Sequence, residues 1–273
     1  MRVIYIAGTS HSGSTLLDLM LNAHPAILAA GEVLKLNRQL TIRKSRKGTP
    51  APCSCGAVSL WDCPFWSAVD RRTQETSGKS LTDLDMQDYR EPDGARAPNA
   101  VVFKAAADVS GKNFVVDSSK LPGRLSYLMR LTELGVYPVH LVREPKGQIN
   151  SVARKHGGFL KHIFRYELVH EQLRRILKSV PHSVVHYEDL VRDPKSALQS
   201  ILQPLGLDFD PRQLDWAQSE KHEVAGNHMR FDATSELVLD ESWRQSLSPL
   251  KQHAIEFGTL LSRQMLPKTG AVR

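Results

Sequence analysis

The first 32 residues constrain this chain more than any other stretch. An apolar, β-branched run from Arg2 to Ala7 stops abruptly in the small-residue loop Gly8-Thr9-Ser10-His11-Ser12-Gly13-Ser14-Thr15, and an apolar helical pattern takes over at Leu16. Strand, loop and helix in that order aim the free N–H groups of the loop and helix start at one point. Hydrogen bonds and the helix dipole hold a phosphate or sulfate there. The loop reads G-x-x-x-x-G-S-T. A nucleotide triphosphatase has a lysine directly after the second glycine to reach the β- and γ-phosphates; Ser14 stands in that place here. The loop suits a phosphoryl-like group but lacks the charge on which triphosphate chemistry relies.

The rest of the chain reads as strands alternating with helices. Buried strand patterns recur in Asn-Phe-Val-Val-Asp-Ser-Ser-Lys ending at Lys120, in Val-Tyr-Pro-Val-His-Leu-Val-Arg ending at Arg143, and in His-Ser-Val-Val-His ending at His186. Helices are predicted over 99–109, 123–134, 146–155, 161–179, 194–206, 212–219 and 249–264. Such alternation implies a central parallel sheet covered on both faces, with the ligand at the carboxyl ends of the strands. All four strand exits carry polar residues, which points to one active site. At 273 residues the chain fits a single domain, 1–273, carrying an insertion or variable acceptor-side region over 35–98. Within it, 71–98 is rich in Thr, Ser, Asp, Gly and Pro and reads as an excursion outside the core.

Ser-His-Ser-Gly-Ser-Thr-Leu-Leu, followed by Asn-Ala-His-Pro and then Gly-Glu, resembles the 5′-phosphosulfate loop of the sulfotransferases, especially the bacterial and tyrosylprotein-sulfotransferase-like branch. The resemblance implies a P-loop-like three-layer α/β/α fold. It also implies transfer of a sulfuryl group from 3′-phosphoadenosine-5′-phosphosulfate (PAPS) to a hydroxyl, or less readily an amine. Ser10, His11, Ser12, Gly13, Ser14 and Thr15 would hold the 5′-phosphosulfate. Arg143 and Ser151, eight apart across a strand-to-helix corner, suit a terminal phosphate dianion; the family uses such a pair for the 3′-phosphate. Lys155 would add charge on the same helical face. Tyr187 matches a tyrosine that approaches the cofactor, and Arg230, in Gly-Asn-His-Met-Arg, matches a loop that closes over the 3′-phosphate and adenine.

The same resemblance makes Glu32, seven residues after Pro25, the catalytic base, provided burial raises its pKa. A helix-start glutamate is the plainer alternative. Lys120 matches a lysine that stabilises charge on the reacting sulfate; a surface lysine before a helix is its plainer alternative. His11 departs from the family's usual Arg or Lys. It serves either as donor to the departing phosphate or as a neutral spacer, with Lys120 carrying the charge.

Composition excludes little more. A net charge of +7 is spread along the chain, with one short basic run, Arg43-Lys44-Ser45-Arg46-Lys47, that reads as a solvated loop. No nucleic-acid partner is expected. No apolar run approaches eighteen residues and no apolar leader follows Met1, so neither a membrane span nor a secretory signal is expected and the location implied is cytoplasmic. The acceptor implied is a small molecule, natural product or glycolipid precursor. Cys53, Cys55 and Cys63 match no strong zinc signature. C-x-C with a third Cys could offer three thiolates to zinc, with a fourth ligand from a His or Asp elsewhere; the plainer reading is thiols packed beside Trp61, Phe65 and Trp66, with no metal required. Two rival functions stand beside this reading: a P-loop kinase-like phosphotransferase and a non-catalytic polyanion-binding module.

Overall fold

The computed structural model describes residues 1–44, 51–89 and 97–265. Ser45, Arg46 and Lys47 of the basic run, and part of the 35–98 region, lie outside the described residues. Five strands, β1 (Arg2–Gly8), β2 (Ile27–Ala29), β3 (Phe114–Lys120), β4 (Tyr137–Val142) and β5 (Ser183–His186), form one parallel sheet in the order β2-β3-β1-β4-β5. The helices in chain order are α1 (Ser14–Asn22), α2 (Leu36–Leu40), α3 (Pro64–Ser77), α4 (Pro98–Ser110), α5 (Pro122–Arg130) and α6 (Pro145–His156). They continue with α7 (Phe159–Leu177), α8 (Tyr187–Arg192), α9 (Pro194–Leu202), α10 (Trp243–Ser246), α11 (Pro249–Gly258) and α12 (Leu260–Met265).

The two-residue period of β1 divides the core. Val3, Tyr5 and Ala7 point into one apolar cluster with α3, α4, α5 and the end of α7. Ile4 and Ile6 point into a second with α1, α9 and Trp216. Helices therefore cover both faces, giving the three-layer α/β/α architecture expected. The chain lays β2 and β3 on one side of β1 and β4 and β5 on the other. The direction of winding reverses at β1, and its carboxyl end is where a ligand crevice forms in such sheets.

Three readings need correction. β2 is a strand that the sequence pattern did not announce, because three residues are too few to show a period. The 71–98 region is not an excursion throughout: α3 reaches Ser77, and Leu81, Leu84 and Met86 are buried in the same cluster as Val3 and Val115. Its apolar residues are sparse along the chain and meet only after the backbone turns. The segment 212–219, read as one helix, is two short 3-10 turns, Pro211–Leu214 and Trp216–Gln218.

Candidate active site

The loop after β1 is shaped by close approaches. Gly13 precedes α1 with φ of 90°, and a Cβ there would lie 2.4 Å from the Tyr187 ring, so only glycine fits. His11 also takes a left-handed conformation, φ 64°. Among the described residues no side chain caps α1, and no acidic residue occupies its first turn, which leaves its leading N–H groups and dipole for an anion. Ser12 Oγ is buried with no hydrogen-bond partner among the described residues. From outside, Gln148 Nε2 donates to the Ser10 carbonyl at 2.6 Å, and the Asn227 N–H donates to Thr15 Oγ1 at 3.1 Å.

On the β4 side, Arg143 and Ser151 converge on the loop. Arg143 donates to the His11 carbonyl at 3.0 Å, and His11 Nδ1 lies 2.9 Å from Ser151 Oγ. The guanidinium sits over the Tyr187 ring, 4.5 Å from its centroid. It also meets Asp240 Oδ2 at 2.8 Å, a partner 97 residues away that nothing in the sequence singles out. Glu144, the next residue along the chain, instead caps α6. His11, Ser151 and Lys155 line one cleft of about 410 Å³ together with Asn227 and Asp240. Burial, reinforced by Lys155, His156 and Arg143, lowers the His11 pKa to about 4, so its imidazole is neutral at pH 7.

On the β3 side, Lys120 stands in register with Ala7, at a break in the β1–β3 pairing, with φ of 72°. A non-glycine residue in that conformation carries about 1–2 kcal/mol of strain. Its ammonium donates to the Ser118 carbonyl at 2.7 Å and meets Glu32 Oε1 at 3.2 Å. Lys35, a residue the sequence reading did not single out, meets Glu32 Oε2 at 2.5 Å. Its spacing of three from Glu32 was the available signal. The expectation that burial raises the Glu32 pKa is corrected. Burial does push it up, but the ammonium groups of Lys120 and Lys35 outweigh that and hold it below its ordinary value.

The polar exit of β3 is mostly spent internally. Ser118 donates to Asp18 in α1 at 3.1 Å, Ser119 donates to Asp117, and Asp117 forms an ion pair with Arg124 in which both side chains are fully buried. Arg230 is not brought to the cleft. It is buried, and its guanidinium donates to the carbonyls of Ala51, Pro52, Glu223 and Ala225. His140 is buried in β4 against His170.

The sulfotransferase family model matches residues 3–211. The chain belongs to the sulfotransferase family. Its structure is similar to the sulfotransferase domain of the Synechococcus PCC 7002 olefin synthase, with a TM-score of 0.60, 19% identity, and coverage of 98% of this chain and 96% of that one. It is also similar to the sulfotransferase domain from the curacin biosynthetic pathway, with a TM-score of 0.59, 17% identity, and coverage of 94% and 96%. A Mycobacterium avium sulfotransferase aligns with a TM-score of 0.52 and 11% identity over 100% of this chain and 78% of that one. At these identities the likeness speaks for the fold. No curated protein matches the chain. Among the described residues, no helix of this sulfotransferase is long and apolar enough to cross a membrane.

Proposed function

We propose that this sulfotransferase moves a sulfuryl group from PAPS to a hydroxyl of a small-molecule acceptor. One observation carries the reading: an uncapped loop–helix junction lies between the Glu32–Lys120 ion pair, past the ends of β2 and β3, and Arg143 with Ser151, both held to His11, after β4. The residues fit PAPS. The α1 start offers free N–H groups, Ser12 Oγ lacks a partner, and the cleft beside His11 and Ser151 carries the cation Lys155.

Gly13, Ser14 and Thr15, with Ser10 and Ser12, take the 5′-phosphosulfate; Arg143 and Ser151 take the 3′-phosphate, with Lys155 adding charge. Tyr187 supports both by packing against Gly13 and beneath Arg143. When bound, PAPS supplies the electrophilic sulfuryl group. Glu32, already ionised, accepts the proton of the acceptor hydroxyl at Oε1 or Oε2. Lys120 stabilises negative charge growing at the reacting group. Neutral His11 keeps Ser151 oriented through Nδ1 and gains a proton when a phosphate dianion arrives. Arg230 has a structural role in this reading, since its Nη1 and Nη2 are spent on backbone carbonyls.

The test is turnover of PAPS with a panel of phenols and alcohols, read as sulfated product by mass spectrometry, beside calorimetry of 3′-phosphoadenosine-5′-phosphate (PAP) against AMP. PAP is expected to bind much more tightly, and Arg143→Ala to narrow the gap by about 1.5–3 kcal/mol. Equal affinities, or Mg²⁺-dependent phosphorylation from ATP, overturn the proposal.

A further inference from the structure

The three cysteines take no part in the transfer just described, yet they do not stand alone. His222, 159 residues after Cys63, folds back so that Cys53, Cys55, Cys63 and His222 place their ligand atoms within 4.8 Å of one another. Cys53 Sγ lies 3.5 Å from Cys63 Sγ, and His222 Nδ1 lies 3.4 Å from Cys63 Sγ and 4.0 Å from Cys53 Sγ. A tetrahedral zinc with Zn–S of about 2.3 Å and Zn–N of about 2.0–2.1 Å has S···S edges of about 3.8 Å and S···N edges of about 3.5 Å. The observed S···S separation is slightly shorter than its edge, and the two S···N separations straddle theirs.

The tautomer agrees. His222 Nε2 lies 2.9 Å from Glu220 Oε1, an acceptor, so Nε2 carries the proton and Nδ1 is left to face the thiols. A carboxylate behind a metal-binding imidazole is the usual outer support of such a site. Phe65 stacks on the ring with centroids 5.0 Å apart, and Trp66 Nε1 donates to the His222 carbonyl at 2.8 Å, so the ligand is held from three directions. Packing against aromatic rings explains buried Cys53 and Cys63. It does not explain why exposed Cys55 joins the same cluster, or why an imidazole nitrogen faces the thiols.

We propose that Cys53, Cys55, Cys63 and His222 Nδ1 form a structural zinc site that pins the 51–63 segment to the backbone beside Glu32. Three thiolates and one neutral imidazole are the soft set that zinc prefers; binding releases the thiol protons. The mechanical link is short. Cys53 pairs with Val224 as an isolated antiparallel bridge, Val224 pairs in parallel with Gly31, and the Glu32 N–H donates to the Val224 carbonyl at 2.8 Å. His222 therefore anchors the strip on which the Glu32 backbone hangs.

The full chain, produced with added zinc and purified without chelator, tests this with no sulfate donor present, so its outcome is separate from that of the transfer reaction. Expected are one zinc per chain, an X-ray absorption shell of three sulfurs and one nitrogen, and three thiols released together with the metal by a mercurial. Cys55→Ser removes the exposed ligand with least risk to folding and is expected to weaken zinc by about a hundredfold. Zinc extraction is expected to speed hydrogen exchange at the Glu32 N–H. Three freely reactive thiols without zinc, a Cys53–Cys63 disulfide, or unchanged zinc affinity in Cys55→Ser overturns the site. Unchanged exchange at Glu32 overturns the pinning.

Discussion

Glu32 is held between the ammonium groups of Lys120 at 3.2 Å and Lys35 at 2.5 Å, so it enters a reaction already ionised. The sign of its pH dependence follows. The folded pKa is depressed, so the stability gained from these pairs is present above the ordinary value of 4.5 and is lost as pH falls through the lowered pKa. The acid limb of activity should lie below the ordinary carboxylate range. Glu32→Gln should leave PAP affinity nearly unchanged and cut turnover by about 10²–10⁴-fold. Lys120→Ala should also slow turnover, because it acts on charge in the transition state. An acidic phenol needs less help from a base, so it should partly rescue Glu32→Gln and not Lys120→Ala. Near-full activity of Glu32→Gln with an unactivated alcohol would remove Glu32 from the role. His11, with its pKa near 4, should take up a proton when PAP brings a dianion beside it. Calorimetry at about pH 6 in two buffers of different ionisation enthalpy should show that uptake, and His11→Asn should abolish it. Equal heats in both buffers for the unmodified chain would show that His11 stays neutral.

Among the elements, the join between β3 and α5 rests on a buried ion pair. Asp117 and Arg124 are both fully buried and meet at 2.8 Å, and Arg124 Nη1 also donates to the Met86 carbonyl at 2.9 Å. One guanidinium thus fastens the strand that ends in Lys120, the helix after it, and the 35–98 region. Arg124→Met leaves Asp117 buried without its counter-charge and should cost about 3–5 kcal/mol in urea unfolding. Restoring neutrality with Asp117→Asn in the same chain should recover part of that loss. A single-variant loss below about 1 kcal/mol would show that water or another donor replaces the arginine.

At the scale of the molecule, the site draws on both halves of the sheet, and the 35–98 region shares an apolar cluster with β1 and β3. The chain should therefore unfold as one cooperative unit. PAP at a hundred times its Kd should stabilise that single transition by about 2.7 kcal/mol, with AMP doing much less at the same concentration. Two resolved transitions, only one of them moved by PAP, would show that 35–98 folds as a separate domain.

The loop from Gly8 to Thr15 and the pair Arg143 and Ser151 were legible in the sequence because strand period, small residues and a strand-to-helix corner are local properties of the chain. The fold class was legible for the same reason: alternating periods announce a parallel sheet. β2 was not, since a three-residue strand has no period and exists by pairing with β3. The direction of the Glu32 pKa, the Asp240 partner of Arg143 and the commitment of Arg230 to carbonyls were equally hidden. Each depends on which group the fold brings within about 3 Å, where hydrogen bonds form and charge–charge attraction is strongest. His222 makes the point most directly. Three cysteines within eleven residues could be read along the chain, but the nitrogen that faces them arrives from a segment that only the packed sheet brings near.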